Sequence, residues 1–150
     1  MHLHTKYFGE IKVNQQDIIT FPQGVPGFQD EKEFVLLPLE DNPVFQVLQS
    51  TNEQELAFIV VNPFLFVKDY EFDIDENTIE SLDIQSETDV QILSIVSLRE
   101  PFETSTANLQ APIVINQVKK IGKQYITNIK KFATKEAIFT PQLTSQVKED

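Results

Sequence analysis

The chain has 150 residues and no cysteine, which excludes disulfides, thiolate zinc sites, iron–sulfur clusters and cysteine nucleophiles at once. Its net charge of −11 is unevenly split: residues 1–103 carry 20 Asp and Glu against 5 Lys and Arg, whereas residues 104–150 carry 3 against 7. Such a field repels nucleic acid from most of the surface and attracts basic proteins; its plainer reading is that acidity keeps the protein soluble.

The opening MHLHTKYFGE lacks the apolar core of a signal peptide, and no run approaches the roughly 18 apolar residues of a membrane span. A cytoplasmic protein is expected. His2 and His4 read as a frayed, solvated end, because two ligands are too few for a metal site. Strand-like runs rich in Val, Ile and Phe then recur at short spacing: GEIKV (9–13), DIITF (17–21), FVLLPL (34–39), VFQVLQS (44–50), LAFIVV (56–61), DYEFDID (69–75), VQILSIVSL (90–98), APIVINQV (111–118) and KQYITNIK (123–130). They predict an all-β, mostly antiparallel sandwich or compact barrel: one domain over residues 1–140, followed by a polar tail that frays over 141–150.

Within that pattern, FPQGVPGF (21–28) holds two prolines, two glycines and two phenylalanines. Each proline removes an N–H that a phosphate cradle would need, so a rigid corner is predicted, pinned to the core by Phe21 and Phe28. Val25 or Pro26 would form a ledge open to a partner. LAFIVV does not alternate and reads as a strand covered on both faces. DYEFDID alternates fully, with Tyr70, Phe72 and Ile74 on one side and Asp69, Glu71, Asp73 and Asp75 on the other. Asp75 is also a candidate N-cap for a short helix in DENTIESL that packs through Ile79 and Leu82. Phe132, Ala133, Ala137 and Ile138 suggest a weak second helix before Pro141.

Catalytic readings find little support. A general base near neutrality would have to come from the two terminal histidines, no phosphate-binding loop is present, and the carboxylates lie on one wet strand face. DIDEN fails as a calcium loop, since counting from Asp73 puts Thr78 at the sixth position and Ile84 at the twelfth. No metal or cofactor is expected. KKIGKQYITNIKKF (119–132) places Tyr125 and Phe132 among five lysines, which keeps a single-stranded nucleic-acid-binding barrel as the alternative.

Five separated blocks, TKYFGEI, DIITFPQGVPGF, EFVLLPL, LAFIVVNPFLFVKDYEF and TANLQAPIVIN, together closely resemble the FliW family of flagellar assembly factors, from about Thr5 to about Asn128. The resemblance implies a compact β-barrel-like regulator without enzymatic activity. FliW proteins bind CsrA, a dimeric RNA-binding repressor of flagellin translation, and are themselves sequestered by flagellin. It therefore implies CsrA and flagellin as partners, with no direct nucleic-acid or membrane contact and a monomer when free.

Charge and exposure then nominate the contacts. For CsrA they are Asp69, Glu71, Asp73, Asp75 and Glu76, with Asn62, Pro63 and Phe64 of the adjoining NPFLF turn, whose apolar residues cannot all point inward. For flagellin they are Asn108, Ile115 and Asn116, on the expectation that APIVIN is an edge strand open to strand addition. Asn108 could equally cap a tight turn, as Thr106 could.

Overall fold

A computed structural model describes residues 2–25, 27–39 and 44–138. In chain order the strands are β1 (His2–Thr5), β2 (Gly9–Lys12), β3 (Ile18–Thr20), β4 (Glu33–Pro38), β5 (Phe45–Ser50) and β6 (Ala57–Val61). After the helix α1 (Glu76–Ser81) come β7 (Val90–Ser97), β8 (Thr106–Ala107), β9 (Ile113–Asn116), β10 (Ile121–Gln124) and β11 (Glu136–Ala137).

The expected barrel is present. Pairing runs β7–β6–β5–β4–β3–β10–β9 and returns from β9 to β7, closing seven strands into a ring. Every junction is antiparallel except one: β3 and β10 run parallel and meet at Thr20 and Ile121. β7 closes the ring because it is long enough to serve two partners along one side, β9 with Val90 to Leu93 and β8 with Val96 and Ser97.

Alternation sorts the side chains between two cores. Ile19, Phe34, Leu48, Val60, Leu93, Ile113 and Ile115 fill the barrel, and Phe21 packs among them. Burying each such side chain contributes roughly 1.5–3 kcal/mol. A Cβ on Gly122 would lie 2.8 Å from the Phe21 ring, so only glycine lets that ring rest against β10. LAFIVV is covered on both faces, as expected. Leu56, Phe58 and Val60 face the barrel core, while Ala57, Ile59 and Val61 join an outer cluster with Val96, Ala107 and Ile138.

Several expectations are corrected. The amino terminus is not a frayed end but a hairpin, β1 with β2, whose Leu3 packs with Val13 and Val35 against the barrel wall. Buried Gln49 fastens it: its side-chain oxygen accepts from the Lys6 N–H at 3.0 Å, and its amide donates to the carbonyls of Ser50 and Gln54, each at 3.1 Å. His2 and His4 each lie 3.5 Å from Glu10 on the hairpin's exposed face, and among the described residues no group of three potential ligands is arranged to hold a metal ion.

Residues 69–75 make no ladder, and the tenth strand begins at Ile121 rather than Lys123 and ends before Tyr125. No helix forms from Phe132 to Ile138, where β11 pairs with β8 instead. In the corner, Phe21 is in the core but Phe28 is exposed, touching Phe58 edge-on at 6.3 Å. Val25 is buried and offers no ledge; Pro26 and the tail over 141–150 lie outside the described residues.

Candidate functional site

Between β6 and β7 the chain leaves the barrel and carries most of the nominated residues. Asn62 starts the excursion by accepting the Phe64 N–H on its side-chain oxygen at 3.0 Å, capping a single 3-10 turn over Pro63–Leu65. Pro63 is buried beneath the turn, while Phe64 and Leu65 remain 44% and 62% exposed. The aromatic surface expected of NPFLF is therefore supplied by Phe64.

Residues 69–75 form an extended strap with the alternation read from the sequence: Tyr70 is buried, Phe72 and Ile74 are half-buried, and Asp69, Glu71, Asp73 and Asp75 point outward. Phenols hold it in place of a ladder. The Tyr70 hydroxyl donates to the Leu109 carbonyl at 2.6 Å, its ring meets Phe132 at 4.6 Å, and burial pushes the phenol well above its ordinary pKa. At the other end, Phe72 stacks on Tyr125 at 5.7 Å, and the Tyr125 hydroxyl donates to the Asp73 carbonyl at 3.1 Å and accepts the Asp75 N–H at 3.2 Å.

Asp75 then caps α1, its side-chain oxygen accepting the Thr78 N–H at 2.8 Å, as the sequence predicts. The helix packs through Thr78 and Leu82 rather than through Ile79 and Leu82; Ile79 is 36% exposed. The hydrogen bonds to Thr78, with Lys123 nearby, hold the Asp75 carboxyl below its ordinary pKa. A carboxylate of this kind stabilises the folded state above its unfolded pKa, and the contribution disappears as pH falls through the lower folded value. Asp75→Asn, which can still cap, is expected to flatten that acid limb of a urea-denaturation series, whereas Asp75→Ala should speed amide exchange in α1 at neutral pH. An unchanged acid limb in Asp75→Asn and unchanged exchange in Asp75→Ala would show the cap to be idle.

Residues 69–89 contain nine carboxylates and no Lys or Arg. Among the described residues the ion pair in this run is Asp83 with Lys119, at 3.4 Å. Asp75 is committed to its cap and Asp89 closes a capping box with Ser86, which leaves Asp69, Glu71, Asp73, Glu76, Glu80 and Glu87 as the outward charge.

Of the flagellin set, Ile115 and Asn116 are not brought to a surface, while Asn108 is half-buried. β9 is paired on both sides, so it is no edge strand, and Ile115 is sealed inside the barrel. Asn116 is also fully buried: its amide donates to the carbonyls of Leu82 at 2.8 Å and Asp83 at 3.0 Å, latching the end of α1 to the barrel, while its oxygen accepts the N–H groups of Val118 and Lys119. Asn108 turns the chain by accepting from Gln110 and Ala111, each at 3.1 Å. The lysine-rich segment likewise lacks a stacking platform, since Phe132 is buried and Tyr125 is engaged by the strap. Nothing in the sequence marked Tyr125 as a strap anchor or Ile79, Ile84 and Ile92 as neighbours of Phe64; the alternation of DYEFDID pointed to the strap, and the absence of Lys and Arg over residues 69–89 is the signal that could have extended it to Glu87.

A family model described as FliW protein matches residues 2–138. The chain is 50% identical over 138 residues to the flagellar assembly factor FliW of Bacillus licheniformis, covering 92% of this chain and 96% of that protein. It is 48% identical, with the same coverage, to the protein of that name from Bacillus subtilis. A crystal structure of the flagellar assembly factor FliW superposes with a TM-score of 0.90 at 45% identity, covering 95% of this chain and 99% of the other.

Proposed function

The chain belongs to the FliW family of flagellar assembly factors, and from that premise we propose that it acts, without catalysis, as a protein-binding antagonist of the translational repressor CsrA. It works in the cytoplasm as a monomer when free. Binding relieves repression of flagellin translation, and free flagellin, by occupying the protein, returns CsrA to its messenger. The observation that carries the reading is the cation-free run of carboxylates over residues 69–89, set on a strap and helix outside the barrel. No helix among the described residues is long and apolar enough to cross a membrane.

Such a run steers a basic RNA-binding protein into encounter. Once docked, it opposes the approach of RNA phosphates by like-charge repulsion without filling the RNA groove. Asp69, Glu71, Asp73 and Glu76 supply the field, and Phe64 beside them supplies an apolar contact that charge alone lacks. In stopped-flow measurements with CsrA, raising the salt from about 50 to 500 mM is expected to slow association by about tenfold or more, with dissociation changing less. RNA displacement should weaken in parallel. An association rate indifferent to salt, or tight binding of this protein to bare RNA, would overturn the reading.

A further inference from the structure

Next to the strap, five stretches of chain converge on an open groove of about 520 Å³. Phe64 comes from the turn after β6, Phe72 and Ile74 from the strap, Ile79 from α1, Ile84 from just beyond it, and Ile92 from β7. Ile74, Ile84 and Ile92 are half-buried, whereas Ile79 and Phe64 stay exposed at the edges. Asp73 and Glu87 line the same groove, within the carboxylate run.

Ile79 is informative because it lies off the inner side of α1. Thr78 and Leu82 bury that side, and Ile79, still 36% exposed, lines the groove. An apolar floor with an acidic rim fits one kind of occupant well: a protein segment with large apolar side chains on one face and Lys or Arg beside them. A second copy of this chain fits poorly, since pairing groove to groove would oppose two carboxylate runs. Nucleic acid is repelled by the same rim.

We propose that this groove is the anchoring site for the basic partner, seating one or two large apolar side chains of a short amphipathic segment while Asp73 and Glu87 meet its cations. The proposal rests on the CsrA reading and adds what charge cannot give, a shape-selective contact. The rim governs how often the partner arrives, and the floor governs how long it stays.

The test uses the full chain and purified CsrA. Ile79→Lys is expected to weaken binding at least about tenfold, chiefly through faster dissociation, while Ile126→Lys, at an exposed site outside the groove lining, leaves it unchanged. Glu87→Lys should slow association with less effect on dissociation. If Ile79→Lys lowers the melting temperature, Phe64→Ala decides, with the same loss expected. CsrA binding that is equal in wild type, Ile79→Lys and Phe64→Ala would overturn the groove and leave the function standing; no binding of CsrA to the wild type would overturn both.

Discussion

Gly24→Ala is expected to destabilise the fold by about 2–5 kcal/mol, combining a left-handed backbone cost with an overpacking cost. Gly24 has φ +73°, and a Cβ there would lie 2.5 Å from both Cα and O of Gln29 and 2.7 Å from its carbonyl carbon. These are backbone atoms and cannot rotate away. The corner has little room to shift: the Gly24 N–H donates to the Phe21 carbonyl at 2.8 Å, and Val25 and Phe28 exchange hydrogen bonds at 3.3 and 2.9 Å. Phe21 and Val25 are in the barrel core, so opening the corner would lift both. Gly9 and Gly27 provide the comparison, because both have positive φ but a Cβ on either meets nothing within 4 Å. Alanine there should cost only about 1–2 kcal/mol. Urea denaturation of the three variants separates strain from clash, and equal losses would show that the clash is relieved.

Tyr70→Ala should cost about 3–5 kcal/mol, in the range of large-to-small aromatic truncations, and should release the strap while the barrel persists. Nothing in a ladder would hold residues 69–75 once the Tyr70 ring and its hydrogen bond to Leu109 were gone. Amide exchange should then rise across the strap and α1 more than in β5 and β6, and, under the function proposed above, CsrA affinity should fall even though the carboxylates remain in the sequence. Tyr70→Phe keeps the ring and leaves the Leu109 carbonyl without its donor, a loss of about 1–3 kcal/mol. Tyr70 also titrates in a defined direction. Its folded pKa is raised above the ordinary 10.0, so its contribution is complete below pH 10.0 and is lost as pH rises beyond it. Tyr70→Phe should therefore soften the alkaline limb of the stability profile. A uniform exchange increase throughout the barrel in Tyr70→Ala would show that strap and barrel unfold as one unit.

The strap also shows how much the sequence could reveal. Its alternation correctly sorted Tyr70, Phe72 and Ile74 from the four acids, but alternation reports one-sided burial and is silent on whether the backbone has a neighbouring strand. Hence a true exposure pattern was assigned to a false strand. β2 to β7 and β9 were legible because β-branched and aromatic runs were separated by turn residues, and the α1 cap was legible because Asp75 precedes the helix directly. The β1 hairpin was not legible although HLHT alternates, because a four-residue strand with two exposed histidines has the composition of a solvated end and only Leu3 and Thr5 face inward. β8 and β11 have two residues each, too few to leave a period. Ile115 and Asn116 were misplaced for a different reason: a proline near the start of a strand, here Pro112 in APIVIN, is easiest to place at a sheet edge, but the ring closes through β9 itself. The groove was invisible because Phe64, Ile79 and Ile92 converge only after the chain has left and re-entered the barrel.

The one parallel junction has a bearing on how this protein is made. β3 emerges from the ribosome early, yet its second neighbour, β10, starts only at Ile121. Until then the nascent sheet has open backbone edges at β3 and, at its other end, at β9, the two strands that β10 joins, and such edges recruit stray strands. A chain truncated before Ile121 lacks the strand that closes the ring, and long-range pairings of this sort are slow to form. Closure is thus a late event in synthesis, and truncated or stalled chains are expected to aggregate rather than accumulate as partly folded protein.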